Sequence, residues 1–243
     1  IERGKSGMLK YEAIVQDLQK DIQYGVYQPG QQLALEKEMC EQYKVSRITI
    51  KRAVDELVKQ GLVVKRRGSG TFVKSMESSD VKELSMANQF TGFAAAYRGH
   101  DIKSKILVFD IVHPKADVAE KLQVSTEDFV YDIVRVRYAD GDPIVIEHTQ
   151  MPIQLIPGIK RRVLEASIYS YIENELKLKI QSAHREVRAV MPTEDEKKYL
   201  RIEGLLPLLE IKQVAFLDDG RPFEFSISRH RGDRNCFRSV SVR

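Results

Sequence analysis

Apolar side chains recur at three- and four-residue spacing in three stretches near the start of the chain. From Lys10 to Tyr24 they are Tyr11, Ile14, Val15, Leu18 and Ile22, a helical stripe. Gly25 closes it, and Pro29-Gly30 makes a turn. A shorter helix is expected over Glu36–Tyr43, with Met39, Cys40 and Tyr43 facing inward. After the tight connection Lys44-Val45, Ser46 suits the start of a third helix, because its hydroxyl can accept an orphan backbone N–H. Ile50, Ala53, Val54, Leu57 and Val58 give that helix one apolar face. Arg47, Thr49, Lys51, Arg52 and Lys59 fall largely off it. Gly61 is the expected stop. Leu62–Val64 and Thr71–Val73 then read as strands around Arg67-Gly68-Ser69-Gly70, a turn that needs positive φ. Helix, helix, short turn, helix and hairpin is the order of a winged helix-turn-helix. A helix with polar N-terminal residues fits a DNA major groove, and a basic glycine-tipped hairpin fits beside it.

Lys74–Ala87 is polar and aperiodic, as in an interdomain linker. Beyond it the period changes. Strands are expected over Lys105–Val112, Val130–Tyr138, Ile144–Met151, Ile180–Val190, Leu208–Leu217, Phe223–Arg231 and Phe237–Val242. Helices are expected over Ala116–Leu122, Ser167–Leu176 and Thr193–Leu200, the last with a capping box from Thr193 and Glu196. Hairpins with a few helices predict an α+β domain, an antiparallel sheet with helices packed on it. Val134–Pro143 and Lys212–Pro222 resemble each other: each is a strand, an Asp-Gly turn and a Pro opening the return strand. Two similar hairpins could form halves of one sheet with a cleft between them. The expected domains are 8–74 for DNA binding, 75–87 as linker and 88–243 as the second domain.

Charge sharpens this division. The net charge is +4. Residues 1–75 carry 14 Lys+Arg against 9 Asp+Glu, and the remaining 168 carry 25 against 26. All the positive excess therefore lies in the third expected to meet phosphates. The 42% hydrophobic residues suffice for real cores. Cys40 and Cys236 are far apart and no CxxC occurs, so a disulfide framework is not expected and a reducing cytoplasm is the simpler compartment. No metal-ligand spacing, cofactor motif, signal pattern or membrane-length apolar run is visible. Ile1–Gly7 has no periodicity and precedes Met8, as a leader would.

Residues 9–73 resemble the DNA-binding domain of the GntR family of bacterial transcription regulators. The segments that carry the likeness are Tyr11–Ile14, Tyr27–Gly30, Leu33–Glu38, Val45–Ala53, Leu57–Leu62 and Gly68–Val73. The resemblance implies a homodimer on a near-palindromic double-stranded operator, with the third helix in the major groove and the wing tip in the minor groove. Ser46, Arg47, Thr49, Arg52, Lys10, Lys37, Gly68 and Ser69 are the expected DNA-binding residues. Arg47 suits base readout, since arginine pairs with guanine O6 and N7. Arg52, Lys10 and Lys37 suit phosphates, which position without specifying sequence. The family usually has Leu-Pro-Ser-Glu-Arg where this chain has Leu33-Ala34-Leu35-Glu36-Lys37. A Pro-Ser cap is lost, and a bidentate fork becomes a point charge.

Residues 88–243 are similar to the UTRA effector-binding domain of the HutC subfamily, which has a chorismate lyase-like fold. The cues are Phe90-Thr91-Gly92-Phe93, Val134–Pro143, Glu147, Ser167-Ile168-Tyr169 and Arg231–Arg234. Arg135 and Arg137 alternate with apolar residues and so share a face. They repel unless an anion or an acidic side chain joins them. Ser167 and Tyr169 begin a helix, whose free N–H groups favour an anion. The resemblance implies a sugar phosphate there, with Glu147 and Glu224 on sugar hydroxyls and Phe90 and Thr91 nearby. His230 stands where relatives often have Tyr. The function that follows is an effector-controlled repressor of a carbohydrate-utilisation operon; a repressor answering to a non-sugar metabolite is the alternative. A lyase-like enzyme finds no catalytic constellation: there is no nucleophile elbow, HExxH or P-loop. An architectural DNA binder fits poorly with a near-neutral second domain.

Overall fold

The protein was analysed as a computed structural model, which describes residues 9–75, 92–97 and 99–235. Ile1–Met8, the linker beyond Ser75, Phe90, Thr91, Cys236 and the strand expected over Phe237–Val242 lie outside the described residues. The described residues form two compact units.

In the first unit, α1 (Lys10–Gln23), α2 (Glu36–Tyr43) and α3 (Arg47–Lys59) precede the hairpin β1 (Val63–Arg66) and β2 (Gly70–Val73). The helical stripes meet as their spacing requires. Ile14, Val15, Leu18 and Ile22 pack with Met39, Ile50, Ala53, Val54 and Leu57, and Leu33, Leu62, Val63 and Val73 close the core. Ser46 caps α3, its Oγ accepting from the Thr49 amide. The lost cap of α2 is visible: Leu35 offers no side-chain acceptor, and only the Glu38 carboxylate answers, accepting from the Leu35 amide at 2.8 Å.

The second unit is a six-stranded antiparallel sheet in the order β3-β4-β5-β8-β7-β6. The chain runs α4 (Phe93–Ala96), β3 (Ile102–Val112), α5 (Ala116–Leu122), β4 (Val130–Ala139), β5 (Asp142–Pro152), α6 (Arg161–Glu165), α7 (Ile168–Asn174), β6 (Ile180–Val190), α8 (Glu194–Leu200), β7 (Leu208–Leu217) and β8 (Pro222–Arg231). The hairpin likeness proves to be part of a longer repeat. Strand, helix, strand and strand occur twice, and β6, α8 and β7 each begin 78 residues after β3, α5 and β4. The helices also end alike, at Gln123 (φ 54°) and Arg201 (φ 53°). The two halves join edge to edge through β5 and β8. The two hairpins are halves of one continuous sheet, as their likeness suggested, and they meet strand to strand.

Each repeat helix crosses to the other half, α5 packing on β8 and α8 on β5. Val118 and Leu122 of α5 pack with Val130 and Phe225, and Leu200 of α8 packs with Val136, Ile146 and Leu208. The opposite sheet face is covered by α6 and α7. Leu164, Ile168 and Ile172 pack there on Tyr131, Ile133, Met151, Ala215 and Phe223. This second face carries the polar cluster described below.

Candidate DNA interface and effector site

The start of α3 gathers the polar residues expected to meet DNA. Ser46, Arg47 and Arg52 are exposed. Thr49 Oγ1 lies 3.0 Å from Ser46 Oγ, and the Arg47 Nε lies 3.7 Å from a Glu36 carboxylate oxygen. The Arg52 guanidinium stacks 3.9 Å over the Tyr11 ring, which brings the first turn of α1, with exposed Lys10, beside α3. Lys37 is exposed on α2. At the wing, Gly68 and Gly70 have φ of +74° and +123°, backbone that side-chain-bearing residues rarely adopt. The tip is held from outside the hairpin: Gln32 Nε2 donates to the Ser69 carbonyl at 3.0 Å. Arg66 stacks on Phe72. Lys65 pairs with Asp55 of α3 at 2.5 Å, tying wing to helix.

In the second unit, strand register sets side chains in rows across the sheet. One row holds Arg135, Glu147 and Ser228; the next holds Arg137, Val145 and His230; a third holds Thr149, Ser226, Gln213 and Arg185. Arg135 and Arg137 are only 5% and 2% exposed. Glu147 is the acidic neighbour that joins them. It accepts from Arg135 at 2.7 Å and lies 3.8 Å from Arg137 Nη1. Arg135 also donates to the Leu164 carbonyl, and Arg137 to the Ala166 carbonyl, so the end of α6 sits on the pair. The Arg137 guanidinium lies 4.6 Å from the Phe93 ring. Burial pulls its pKa down to about 10, Glu147 opposing and Arg135 reinforcing; it remains a cation at neutral pH. The buried Nε atoms of both arginines and the buried Nδ1 of His230 have no hydrogen-bond partner among the described residues.

Beside this basic pair is an acidic one-residue centre. The buried Glu224 carboxylate accepts from Gln213 at 2.9 Å and from Ser226 at 2.7 Å. Burial pushes its pKa above the usual carboxylate range, although the Ser226 and Gln213 hydrogen bonds pull the other way. Tyr169 joins this group, its hydroxyl accepting from Gln213 at 3.2 Å. Burial and then the Glu224 charge raise the phenol well above its ordinary value. The Tyr169 ring also explains Gly92: a Cβ there would come within 3.2 Å of it. Ser167 caps α7, its Oγ accepting from the Ser170 amide at 3.2 Å. Burial lowers the His230 pKa to about 4, Glu147 opposing and Arg185 reinforcing, so the ring is neutral at pH 7. Among the described residues, no three His, Cys, Asp or Glu side chains gather as metal ligands, and no helix is long and apolar enough to cross a membrane.

A model of bacterial regulatory proteins of the gntR family matches residues 10–73, and a UTRA domain model matches residues 97–235. The chain is 39% identical to the HTH-type transcriptional regulator GmuR of Bacillus subtilis over 97% of this chain and 100% of that protein. It is 31% identical to the mannosyl-D-glycerate transport/metabolism system repressor MngR of Escherichia coli, over 96% of each. The solved structure of the possible transcriptional regulator YydK from Bacillus subtilis superposes with a TM-score of 0.75 at 25% identity, covering 97% of this chain and 100% of that one. The chain belongs to the GntR family of bacterial transcription regulators.

The regulator has the HutC-like pairing of a winged helix-turn-helix with a UTRA domain. Its fold brings Arg135, Arg137, Glu147, Tyr169, Glu224 and His230 onto one sheet face, while Ser167 lies at the start of α7. Sequence reading missed Gln213, Arg185 and Ser226, and took Phe93 only as a mark of the family likeness. One signal existed for Gln213: it is the repeat partner of Arg135, 78 residues on. Arg185 donates to Gln213 at 2.7 Å, a contact set by strand pairing that no local pattern announces. Gln32 was missed for the same reason, since Ser69 lies 37 residues away.

Proposed function

We propose that this regulator represses a carbohydrate-utilisation operon and that an anionic sugar, in the simplest case a sugar phosphate, is the effector. The observation that carries the reading is the pair of buried arginines sharing one carboxylate. Arg135 and Arg137 bring two charges to Glu147's one, and each keeps a buried Nε–H without a partner. A buried charge in excess is costly unless something opposite meets it. A phosphate or carboxylate is the chemistry that does so. Glu224 and Gln213, with Ser228 in the adjoining row, suit sugar hydroxyls. The relatives support the choice of class, since MngR is named for a sugar-derivative system. The protein acts as a homodimer on a near-palindromic operator in the cytoplasm, and as a binding protein, not an enzyme. Effector control requires that the ligand prefer one arrangement of the protein over another.

Calorimetry with sugar phosphates and the matching free sugars tests the site. Phosphorylated ligands should bind, and Arg137→Gln should weaken them by about tenfold or more, as loss of a charge-assisted contact implies. Equal binding by variant and wild type, or indifference to the phosphate, defeats the phosphate reading. On DNA, Arg47→Ala should lower operator affinity by about tenfold or more, the discrimination of one arginine–guanine pair. An unchanged affinity and sequence preference would remove Arg47 from its role.

A further inference from the structure

Ile48 is 81% exposed, although it lies in the first turn of a helix that buries four apolar residues, Ile50, Ala53, Val54 and Leu57. Its neighbours on α3 explain why it cannot turn inward. Ile50, Ala53, Val54 and Leu57 form the buried face, and a residue two places before Ile50 points nearly opposite. Ile48 therefore shares the outer face with Lys51 and Arg52, both exposed. An isoleucine there does nothing for the fold. Branching at Cβ makes it a poorer helix former than the straight-chain residues usual on a surface, and exposure forfeits its burial energy.

The flanking side chains are arranged differently. Arg47 leans toward Glu36, the Thr49 hydroxyl meets Ser46, and Arg52 rests on Tyr11. Each polar group of this turn already has a neighbour that orients it. Ile48 projects among them as a bare hydrocarbon. In the groove that a recognition helix enters with its first turn, the apolar feature on a base edge is the thymine C5-methyl group.

We infer that Ile48 is a specificity-determining residue that reads a thymine methyl beside the base contacted by Arg47. The pair would work by complementary chemistry: Arg47 demands hydrogen-bond acceptors, and Ile48 rewards a methyl group at the neighbouring step. This rests on α3 being the recognition helix, and the experiment separates the two ideas.

The full chain is used to select binding sites from randomised duplex DNA, and every thymine of the selected site is then replaced singly by deoxyuridine, which lacks only the methyl. Wild type should lose affinity by about fourfold at one such thymine per half-site, the change that burial of one methyl group corresponds to. Ile48→Ala should bind thymine and uracil alike at that position and keep the wild-type melting temperature, because the side chain is exposed. Ile48→Val should retain most of the preference. A consensus whose thymines all tolerate uracil in the wild type overturns the proposal and leaves the recognition helix in place. So does a uracil penalty that Ile48→Ala shares in full, since another group then reads the methyl. A selection that yields no consensus overturns the helix assignment and the proposal together.

Discussion

The two halves of the second unit are built on one plan and loaded with different side chains. On the face beneath α5 and α8, Asp132 and Glu210 are repeat partners, 78 residues apart on β4 and β7. Glu210 is fully buried and bridges Arg188 at 2.6 Å and Arg229 at 2.7 Å. Arg229 reaches on to Glu196 of α8. Burial pushes the Glu210 carboxyl up, but the hydrogen bonds from Arg229 and Arg188 outweigh it and hold the group below the usual range. Asp132, in contrast, sits opposite Asp110, a like-charge pair that costs some stability. It is met by His148 and Gln150 at the surface. On the other face the bias is reversed: Arg135 and Arg137 occupy the first half, and their partners in the second are Gln213 and Ala215. The repeat thus fixes where a side chain stands, and the residue at each place decides whether its charge is matched there. On the face beneath α5 and α8 the second half uses its charges to tie α8 down; on the opposite face the first half carries two arginines against one glutamate.

Glu210→Ala should test this contrast most severely. It leaves Arg188 without its carboxylate and Arg229, partly buried, with only Glu196 of its two partners, and should cost about 3 kcal/mol in urea unfolding, the lower end for breaking a buried ion pair. Asp132→Ala, at the same place in the other half, should cost less than about 1 kcal/mol. Equal costs would mean that the halves carry their charges equivalently.

The sheet face that carries Arg135 and Arg137 should respond to pH in two opposite ways. His230 titrates near pH 4 when folded against 6.5 ordinarily. The unfolded chain therefore binds the proton first, and stability present above pH 6.5 is lost as pH falls toward 4. The expected loss is roughly 2–3 kcal/mol, and His230→Gln should flatten it. Glu224 has its pKa raised by burial, so the folded state holds its proton longer. Its contribution is present at low pH and lost as pH rises from the ordinary carboxylate value through the folded one. Glu224→Gln should remove that decline in chemical unfolding measured across the acid range; a slope that persists assigns the titration elsewhere.

The smallest effect concerns the helix starts. Thr193 caps α8, with Glu196 answering at 2.8 Å, while the repeat partner Lys115 gives α5 no side-chain cap. Thr193→Ala should cost about 1 kcal/mol, and Lys115→Thr should gain up to about that much. A Lys115→Thr variant melting no higher would show that α5 is held by Val118 and Leu122 alone.

Much of this was legible along the chain. The helical spacing of apolar residues in Ile14–Ile22, Met39–Tyr43 and Ile50–Leu57 gave each stretch one face to bury, so three helices and their order followed from it. Alternation along Val130–Tyr138 is enough to place Arg135 and Arg137 on one face. Helices α4 and α6 were not foreseen, because Phe93–Ala96 and Arg161–Glu165 are too short to show a period. The extent of the repeat was missed because the likeness of the two hairpins was plain and that of α5 and α8, once their sequences diverged, was not.

What the sequence determined by itself is local or periodic: the helix-turn-helix order, the glycine-tipped wing, the cap at Ser46, the α+β class and the side of the strand on which each charge lies. Backbone propensity and hydrophobic period act over a few residues and can be read there. The tertiary structure decided who meets whom. Register put Glu147 between Arg135 and Arg137, and pairing of β6 with β7 brought Arg185 to Gln213. The packing of α7 turned Tyr169 toward Glu224. These partners lie 10 to 55 residues apart, and only the closing of the sheet, driven by burial of its apolar rows, brings them together.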